Sequence, residues 1–279
     1  MPCGFNIVVF DLDETLGYFM EFGMFWDALK SYLKQANLKQ ANLNKITIDQ
    51  SLFNTILNLY PEFLRPNIIE ILKYLKKKKE KNHCDKLMIY TNNQGPTEWA
   101  KYIMNYFETK INYKIFDQII AAFKVQGKRV ELCRTTHQKT HSDLIKCTKV
   151  PEDTHICFLD DVFYPDMSNE NIYYINVKPY VYDLDFNVMI NRLLNSGILL
   201  GDTTHCKEYI LNFIKKYNYN YVDKSPLAQY VDNTISKKIL QHLHTFFKTI
   251  HAPPGLNHPY KFTKRNKVIH NKTLKTRHK

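Results

Sequence analysis

Two carboxylates two residues apart, Asp11 and Asp13, directly follow a short apolar run over residues 7–10. The run predicts a buried strand that ends where the carboxylates begin. Because the chain is already turning there, the two side chains need not point to opposite faces of a sheet. One carboxylate can then act as a nucleophile while the other transfers protons. The pair therefore indicates a reactive site at the end of a strand.

Polar residues follow two further apolar runs in the same way. Thr91 and Asn92 follow the second run, and Asp160 and Asp161 follow the third. In open α/β sheets, ligands bind in the crevice beyond the carboxyl ends of the strands. We therefore expect these three strand ends to meet at one site.

A cation is needed at such a site, because converging carboxylates would otherwise repel one another. Mg²⁺ uses few protein oxygens and keeps several waters and a substrate phosphate. The hydroxyl of Thr91 and a lysine amine are the donors that transferring phosphoryl oxygens require. Lys139 is the first candidate for that lysine, and Lys128, Lys146 and Lys149 are the alternatives. The sequence thus predicts Mg²⁺-dependent phosphoryl transfer.

The elements that must position these residues alternate between predicted strands and helices. This order is typical of a parallel sheet with helices on both faces, an α/β fold. Residues 18–64 interrupt the alternation with two predicted helices, at 22–38 and 49–60. We expect Asp49 to cap the second of these helices, since its side chain can accept from a free N–H group.

The chain becomes mostly helical after the last predicted strand. The predicted helices there cover about 186–196, 205–216 and 235–249, with Asp185 as an N-cap. We therefore expect three parts. These are an α/β core over 1–182 that includes the helical insertion 18–64, a helical C-terminal extension over 183–252, and a basic tail over 253–279.

The order of these motifs resembles that of the haloacid-dehalogenase-like (HAD) hydrolase superfamily over about residues 5–180. The Asp-Leu-Asp-Glu-Thr run at 11–15 resembles its first motif, and Thr-Asn-Asn at 91–93 resembles the second. Lys139 resembles the third motif, and the Asp-Asp pair at 160–161 resembles the fourth. The resemblance implies a HAD-like, Rossmann-type sheet and a phosphatase that forms an aspartyl-phosphate.

The resemblance also implies a role for each residue. Asp11 would attack phosphorus, and Asp13 would protonate the leaving oxygen and later activate water. Asp11, the backbone carbonyl of Asp13 and Asp160 would hold Mg²⁺, with Asp161 orienting the metal waters or Lys139. The residues that would bind the substrate phosphate are Thr91, Asn92 and Lys139.

Two substrate classes remain open within the superfamily. The first motif and the Arg-Pro pair at 65–66 are similar to the NLI-interacting-factor type of polymerase C-terminal-domain phosphatase, including related proteins of large DNA viruses. This similarity implies a phosphoprotein substrate. Residues 91–94, however, are closer to the second motif of polynucleotide-kinase 3′-phosphatases and histidinol-phosphate phosphatases. The alternatives are therefore a nucleic-acid 3′-phosphatase, or a catalytically weak nucleic-acid-binding protein, although the complete set of motifs argues against the latter.

The charge of the chain is unevenly distributed. The formal net charge is +12, with 33 lysines and only 6 arginines among the 279 residues. Residues 261–279 carry eight of these cations and no acid. We expect a solvated tail, with contact to nucleic acid or an acidic partner as the alternative.

Other patterns limit the class of protein. With 44% hydrophobic residues, the chain can form a packed core. The six cysteines form no Cys-x-x-Cys pair, which predicts neither a zinc site nor a disulfide framework. No apolar run approaches the ~20 residues that span a bilayer, and the first strand begins too early for a signal peptide. We expect no membrane contact and an intracellular protein, cytoplasmic or nuclear, in a host cell if it is viral.

Overall fold

The computed structural model describes residues 4–39, 46–199 and 203–250. In the described chain, five strands form one parallel sheet: β1 (Asn6–Phe10), β2 (Lys86–Tyr90), β3 (Gln118–Ile120), β6 (His155–Asp160) and β7 (Ile172–Asn176). A separate antiparallel hairpin contains β4 (Lys124–Val125) and β5 (Lys128–Arg129). The sheet and the helices on both of its faces confirm the predicted α/β fold class.

The strand order of the sheet is β3-β2-β1-β6-β7. It is the 3-2-1-4-5 order of a doubly wound, Rossmann-type sheet, in which the chain changes direction beside the first strand. The central strand β1 therefore has β2 on one side and β6 on the other, with Val9 level with Met88 and with Phe158. The carboxyl ends of these three strands consequently lie side by side.

The described residues contain eight α-helices. They are α1 (Met20–Lys39), α2 (Gln50–Leu57), α3 (Ile68–Glu80), α4 (Thr97–Ile111), α5 (His141–Thr148), α6 (Phe186–Asn195), α7 (Thr203–Lys215) and α8 (Pro226–Ile250). Helix α8 begins nine residues before the predicted start at residue 235. The early residues Leu227 and Tyr230 are 72% and 69% exposed, so the first turns lack the apolar periodicity that reveals a helix.

The two faces of the sheet pack against different helices. Val8 and Phe10 belong to a large core cluster with α1–α4 and α6–α8, whereas Ile7 and Val9 pack on the opposite face with α5. This division follows from the two-residue period of a strand, which sends alternate side chains to opposite faces. The helical insertion and the C-terminal helices thus share one hydrophobic core with the sheet.

Two predicted helix caps are confirmed. The Asp49 carboxylate accepts from the N–H of Leu52 at the start of α2. The Asp185 carboxylate accepts from the N–H groups of Asn187 and Val188 at the start of α6. Each carboxylate satisfies backbone donors that have no partner within the helix.

The expectation of no disulfide is wrong for one pair of cysteines. Cys133 and Cys147 form a disulfide, with their Cα atoms 5.0 Å apart. The two residues are 14 positions apart and match no short cysteine motif. They meet because the segment before α5 folds back along that helix, which cysteine spacing could not reveal.

Two sequence predictions concern the end of the chain and the membrane. The basic segment 261–279, within the predicted tail 253–279, lies outside the described residues. Among the helices of the described chain, none is long and apolar enough to cross a bilayer.

Candidate active site at the strand ends

Three charged side chains meet at the carboxyl ends of β1 and β6. The Nζ atom of Lys139 donates to Asp11 Oδ1 at 2.5 Å and to Asp160 Oδ2 at 2.6 Å. Lys139 and Asp160 are each 1% exposed, and Asp11 is 7% exposed. Burial alone would lower the pKa of Lys139, but the charges of Asp11 and Asp160 outweigh it and raise that pKa. The lysine is therefore a fixed cation between two carboxylates.

The segment before α5 brings Lys139 to this position. Lys139 directly precedes Thr140, the N-cap of α5, whose hydroxyl accepts from the N–H of Asp143 at 3.1 Å. The other candidate lysines lie elsewhere: Lys128 in the exposed hairpin, and Lys146 and Lys149 in and just after α5. The cap thus fixes the start of the helix and, with it, the base of the lysine side chain.

Asp13 lies beside this cluster and has a different environment. Asn93 donates from Nδ2 to Asp13 Oδ2 at 2.7 Å. Burial, together with the nearby charge of Asp11, raises the pKa of Asp13 to about 7. A carboxyl group with such a pKa can hold a proton and release it near neutrality, as a general acid and base must.

The turn that carries Asp13 is held by a buried arginine. Arg65 is 1% exposed and donates to the backbone carbonyls of Thr15, at 2.6 Å, and of Glu14. Glu14 adopts a left-handed backbone with φ of 57°, which costs energy in a residue other than glycine. At the end of the turn, a Cβ on Gly17 would lie 2.5 Å from the carbonyl oxygen of Phe63, so only glycine fits there.

The end of β2 supplies three consecutive polar side chains. Thr91 is 2% exposed, and its hydroxyl oxygen accepts from the N–H of Asn93 at 3.0 Å. Asn92 donates from Nδ2 to the hydroxyl of Tyr164 at 3.0 Å, whereas the neighbouring Asn93 contacts Asp13. The amide that orients Asp13 is therefore that of Asn93, to which the sequence had given no role although it lies in the same motif.

Three carboxylates form a group that could bind a metal ion. Asp11, Asp160 and Asp161 each have a carboxylate oxygen within 4.8 Å of the others. Burial acts to raise the pKa of Asp160, which the charge of Lys139 opposes, and burial with the charge of Asp11 raises the pKa of Asp161 to about 6. Buried, crowded carboxylate oxygens are the donor set that suits a hard divalent cation. The residues therefore fit Mg²⁺, and the carboxylate of Asp13 lies outside this group.

Arg134 is a second buried arginine of the site that sequence reasoning missed. It is 0% exposed and donates from Nη1 to the carbonyl of Thr91 at 3.1 Å and from Nη2 to the carbonyl of Gln138 at 3.2 Å. It therefore links the end of β2 to the residue before Lys139. The one feature of the sequence that could have pointed to Arg134 is the scarcity of arginine. The chain has 33 lysines and only 6 arginines, so each position with a planar guanidinium stands out.

A cavity of about 620 Å³ opens beside Asp13 and Asn93. It lies along α1 and the first turns of α4, and a residue that follows α7 also lines it. We call it the aromatic cavity, because its lining includes Tyr18, Phe19, Trp26, Trp99, Tyr102 and Tyr217. The C-terminal extension thus contributes to the surroundings of Asp13 through Tyr217.

Comparisons with known proteins give one similarity. No protein-family model matches the chain, and no curated protein matches it. Among solved structures, the chain is similar to a HAD-superfamily hydrolase from Ehrlichia chaffeensis, with 15% sequence identity and a TM-score of 0.30. The match covers 67% of this chain and 96% of that one. A likeness this low carries no functional argument.

Proposed function

We propose that this protein is a Mg²⁺-dependent phosphomonoester hydrolase that acts through an aspartyl-phosphate on Asp11. The observation that carries this proposal is the pairing of the Lys139 ammonium with both Asp11 and Asp160, next to a separately held Asp13. Asp11 thus lies beside a fixed cation, whereas Asp13 lies in surroundings that suit proton transfer. The motif order that resembles the HAD superfamily supports the same reaction.

The first step transfers the phosphoryl group to the protein. A carboxylate oxygen of Asp11 attacks phosphorus, the bond from phosphorus to the leaving oxygen breaks, and Asp13 gives its proton to that oxygen. The alcohol product then leaves. Asn93 keeps Asp13 in position for this transfer through its 2.7 Å hydrogen bond.

The second step restores Asp11. Asp13, now ionised, takes a proton from water as the water oxygen attacks the phosphorus of the aspartyl-phosphate. The bond between phosphorus and the Asp11 oxygen breaks, and inorganic phosphate is released. The same residue therefore serves as acid and then as base.

Charge stabilisation comes from residues at the strand ends. The Lys139 ammonium and the Thr91 hydroxyl are donors for the phosphoryl oxygens, and Asn92 borders them through its bond to Tyr164. Fixed donors in a buried site stabilise developing charge without having to reorganise. Asp11, Asp160 and Asp161, with the Asp13 carbonyl as a further ligand, would hold Mg²⁺, which when bound neutralises charge on the carboxylates and the phosphate.

Phosphate release with and without Mg²⁺ tests this proposal. The panel contains phosphopeptides, 3′-phosphorylated oligonucleotides and small phosphomonoesters, each assayed with Mg²⁺ and with excess chelator. We expect activity only with the metal, and we expect Asp160→Ala to abolish activity or to raise the Mg²⁺ concentration required. Because Asp160 is also a partner of Lys139, calorimetric titration of Mg²⁺ should show the loss of metal binding directly.

The same assays distinguish the proposed hydrolase from the alternative, a catalytically weak nucleic-acid-binding protein. That reading expects no phosphate release from any substrate, together with oligonucleotide binding that is unaffected by Asp160→Ala. Full activity in excess chelator would contradict the metal assignment. If no member of the panel releases phosphate in Mg²⁺, the proposal that the protein is a hydrolase is contradicted.

A further inference from the structure

The aromatic cavity lies where the leaving group of the proposed reaction must be. Asp13 and Asn93 both line it, and Asp13 is the residue that would protonate the leaving oxygen. A group that receives its proton from Asp13 has to lie on the same side of phosphorus. The lining of the aromatic cavity therefore indicates the chemistry of the leaving group, provided that the proposed function holds.

The aromatic rings of the cavity are held from behind by buried rings. Trp99 packs edge-on against Phe53, with ring centroids 5.7 Å apart, and tilted against Phe22 at 6.1 Å. Tyr102 stacks on Phe53 at 4.9 Å and contacts the edge of Trp26 at 6.2 Å. Both Trp99 and Tyr102 remain only partly buried. The cavity thus offers flat apolar surfaces that lose little entropy when a ring packs against them.

A glycine within α1, Gly23, lies beside the indole of Trp99. A Cβ on Gly23 would meet the indole of Trp99 at 3.5 Å, which is ordinary van der Waals contact. Alanine would therefore fit, and in a helix interior glycine costs about 1 kcal/mol relative to alanine. The glycine gives up helix stability and leaves a methyl-sized space beside the indole. A larger side chain at this position would occupy the space that a ligand ring would take.

The charges around the cavity disfavour an additional anion. Glu14, Asp27 and Glu98 line it together with Asp13. Among the described residues of the lining, Lys30 supplies a cation, and it is paired with Asp27 at 2.8 Å. The lining is therefore acidic although the whole chain carries +12. A nucleic-acid chain entering here would bring phosphates against the carboxylates of Glu14 and Glu98.

We infer that the substrate is an aryl phosphomonoester whose leaving group is a neutral or cationic aromatic group seated in the aromatic cavity. The acidic lining disfavours 3′-phosphorylated nucleic-acid ends. A phosphotyrosine side chain and a free aryl phosphate share this chemistry. The nucleic-acid 3′-phosphatase reading is thereby disfavoured by the site itself, whatever the basic segment 261–279 binds.

Tryptophan fluorescence can measure occupancy of the cavity without turnover. The chain has two tryptophans, Trp26 and Trp99, and both line the cavity. The Asp11→Asn variant, which should retain substrate unhydrolysed, is titrated in Mg²⁺ with phenyl phosphate, ethyl phosphate and a 3′-phosphorylated trinucleotide. We expect phenyl phosphate to bind at least roughly tenfold more tightly than ethyl phosphate, because ring packing adds to the phosphate contacts. The trinucleotide should bind more weakly than either.

Variants that change the cavity test the inference further. Gly23→Leu should remove the preference for phenyl over ethyl phosphate, while Lys34→Leu, which adds the same side chain on an exposed turn of α1, should keep it. Trp99→Leu should also reduce the preference for phenyl phosphate. This variant replaces Gly23→Leu in the test if Gly23→Leu does not fold. Replacing Asp27 and Glu98 together by Asn and Gln should improve trinucleotide binding. Phosphotyrosine amide and a phosphotyrosine peptide then separate the two sources of an aryl phosphate.

Equal affinities for phenyl and ethyl phosphate, or a preference that survives both Gly23→Leu and Trp99→Leu, would overturn the inference. So would trinucleotide binding as tight as that of phenyl phosphate. Failure of the proposed function is a different result, because the wild-type protein would then bind phenyl phosphate yet release no phosphate from it. Hydrolysis without the aryl preference would leave the phosphatase in place and remove only its substrate class.

Discussion

The strand ends and the aromatic cavity are adjacent, yet they are built in opposite ways. The strand ends place buried charges in direct contact, as in the pairing of Lys139 with Asp11 and Asp160. The aromatic cavity is lined by rings whose support is other rings, as with Trp99 on Phe53. In the first region, the strand termini and a helix cap determine the geometry. In the second, several helices from distant parts of the chain determine it.

This difference indicates how the two regions should respond to mutation. A buried charge that loses its partner costs several kcal/mol and disturbs every group around it. A ring in a cavity wall can be replaced by another apolar group at a smaller cost. We therefore expect strand-end substitutions to change the chemistry or the stability strongly, and cavity substitutions to change mainly which leaving group is accepted.

The largest expected effect is that of Asp11→Asn on turnover. Losing a covalent nucleophile should reduce kcat by roughly 10⁴-fold or more, since no other group offers an equivalent path. Phosphate release and acid-quench trapping of labelled phosphoprotein measure the effect, and circular dichroism checks the fold. Near-normal hydrolysis by this variant would contradict the aspartyl-phosphate mechanism.

Asp13→Asn should have the next largest effect on turnover. General acid and base assistance contributes roughly 10²–10⁴-fold, so kcat should fall within that range. The loss should be greater for ethyl phosphate than for phenyl phosphate, because a phenolate leaves more readily without a proton. A uniform loss across both substrates, with phosphoryl transfer shown to limit the rate, would remove Asp13 from the acid role.

Arg134→Met tests whether the strand ends depend on buried hydrogen bonding. The substitution leaves the carbonyls of Thr91, Ala121, His137 and Gln138 without their guanidinium donor. We expect the free energy of unfolding to fall by about 3 kcal/mol in denaturant titration. Lys128→Met, at an exposed position of β5, is the matched control and should cost less than about 1 kcal/mol. Equal losses of unfolding free energy in the two variants would show that the buried hydrogen bonds of Arg134 add nothing to stability beyond an exposed side chain.

The smallest effect concerns Glu21, a carboxylate buried in the first turn of α1. Glu21 is 0% exposed and accepts from the N–H of Leu184 at 2.8 Å; within the described chain its Oε1 atom has no hydrogen-bond partner. Burial raises its pKa from 4.5 to about 8. The folded protein thus holds this proton more tightly than the unfolded chain. The contribution of protonated Glu21 to folding stability is therefore full below pH ~4.5 and is lost as the pH rises towards ~8.

Glu21→Gln should remove that dependence on pH. The variant should gain about 1–3 kcal/mol of stability relative to wild type between pH 5 and pH 8, measured as free energies of unfolding across that range. Glu70→Gln, at an exposed position of α3, should follow the wild-type pH profile. A Glu21→Gln profile parallel to wild type would mean that Glu21 is ionised in the folded protein.

Much of the arrangement at the strand ends could be predicted because its residues adjoin short apolar runs. The runs before Asp11, Thr91 and Asp160 mark strand ends, and parallel strands bring such ends to one edge of the sheet. Lys139 could be named only as one of four candidates, since the loop that carries it has no regular period. Arg134 was missed for the same reason, and the disulfide between Cys133 and Cys147 left no pattern in cysteine spacing.

The aromatic cavity could not be predicted in this way. Trp26 and Trp99 have the helical spacing of ordinary core residues, and a core ring and a cavity ring look alike in a sequence. Tyr217 lies more than two hundred residues from Asp13 in the chain, and only the packing of α7 on α1 brings it to the same cavity. The sequence by itself determined the order of the strands' polar ends, because that information is local. The tertiary structure alone decided which lysine, which amide and which rings surround Asp13, because those contacts join segments that no local period relates.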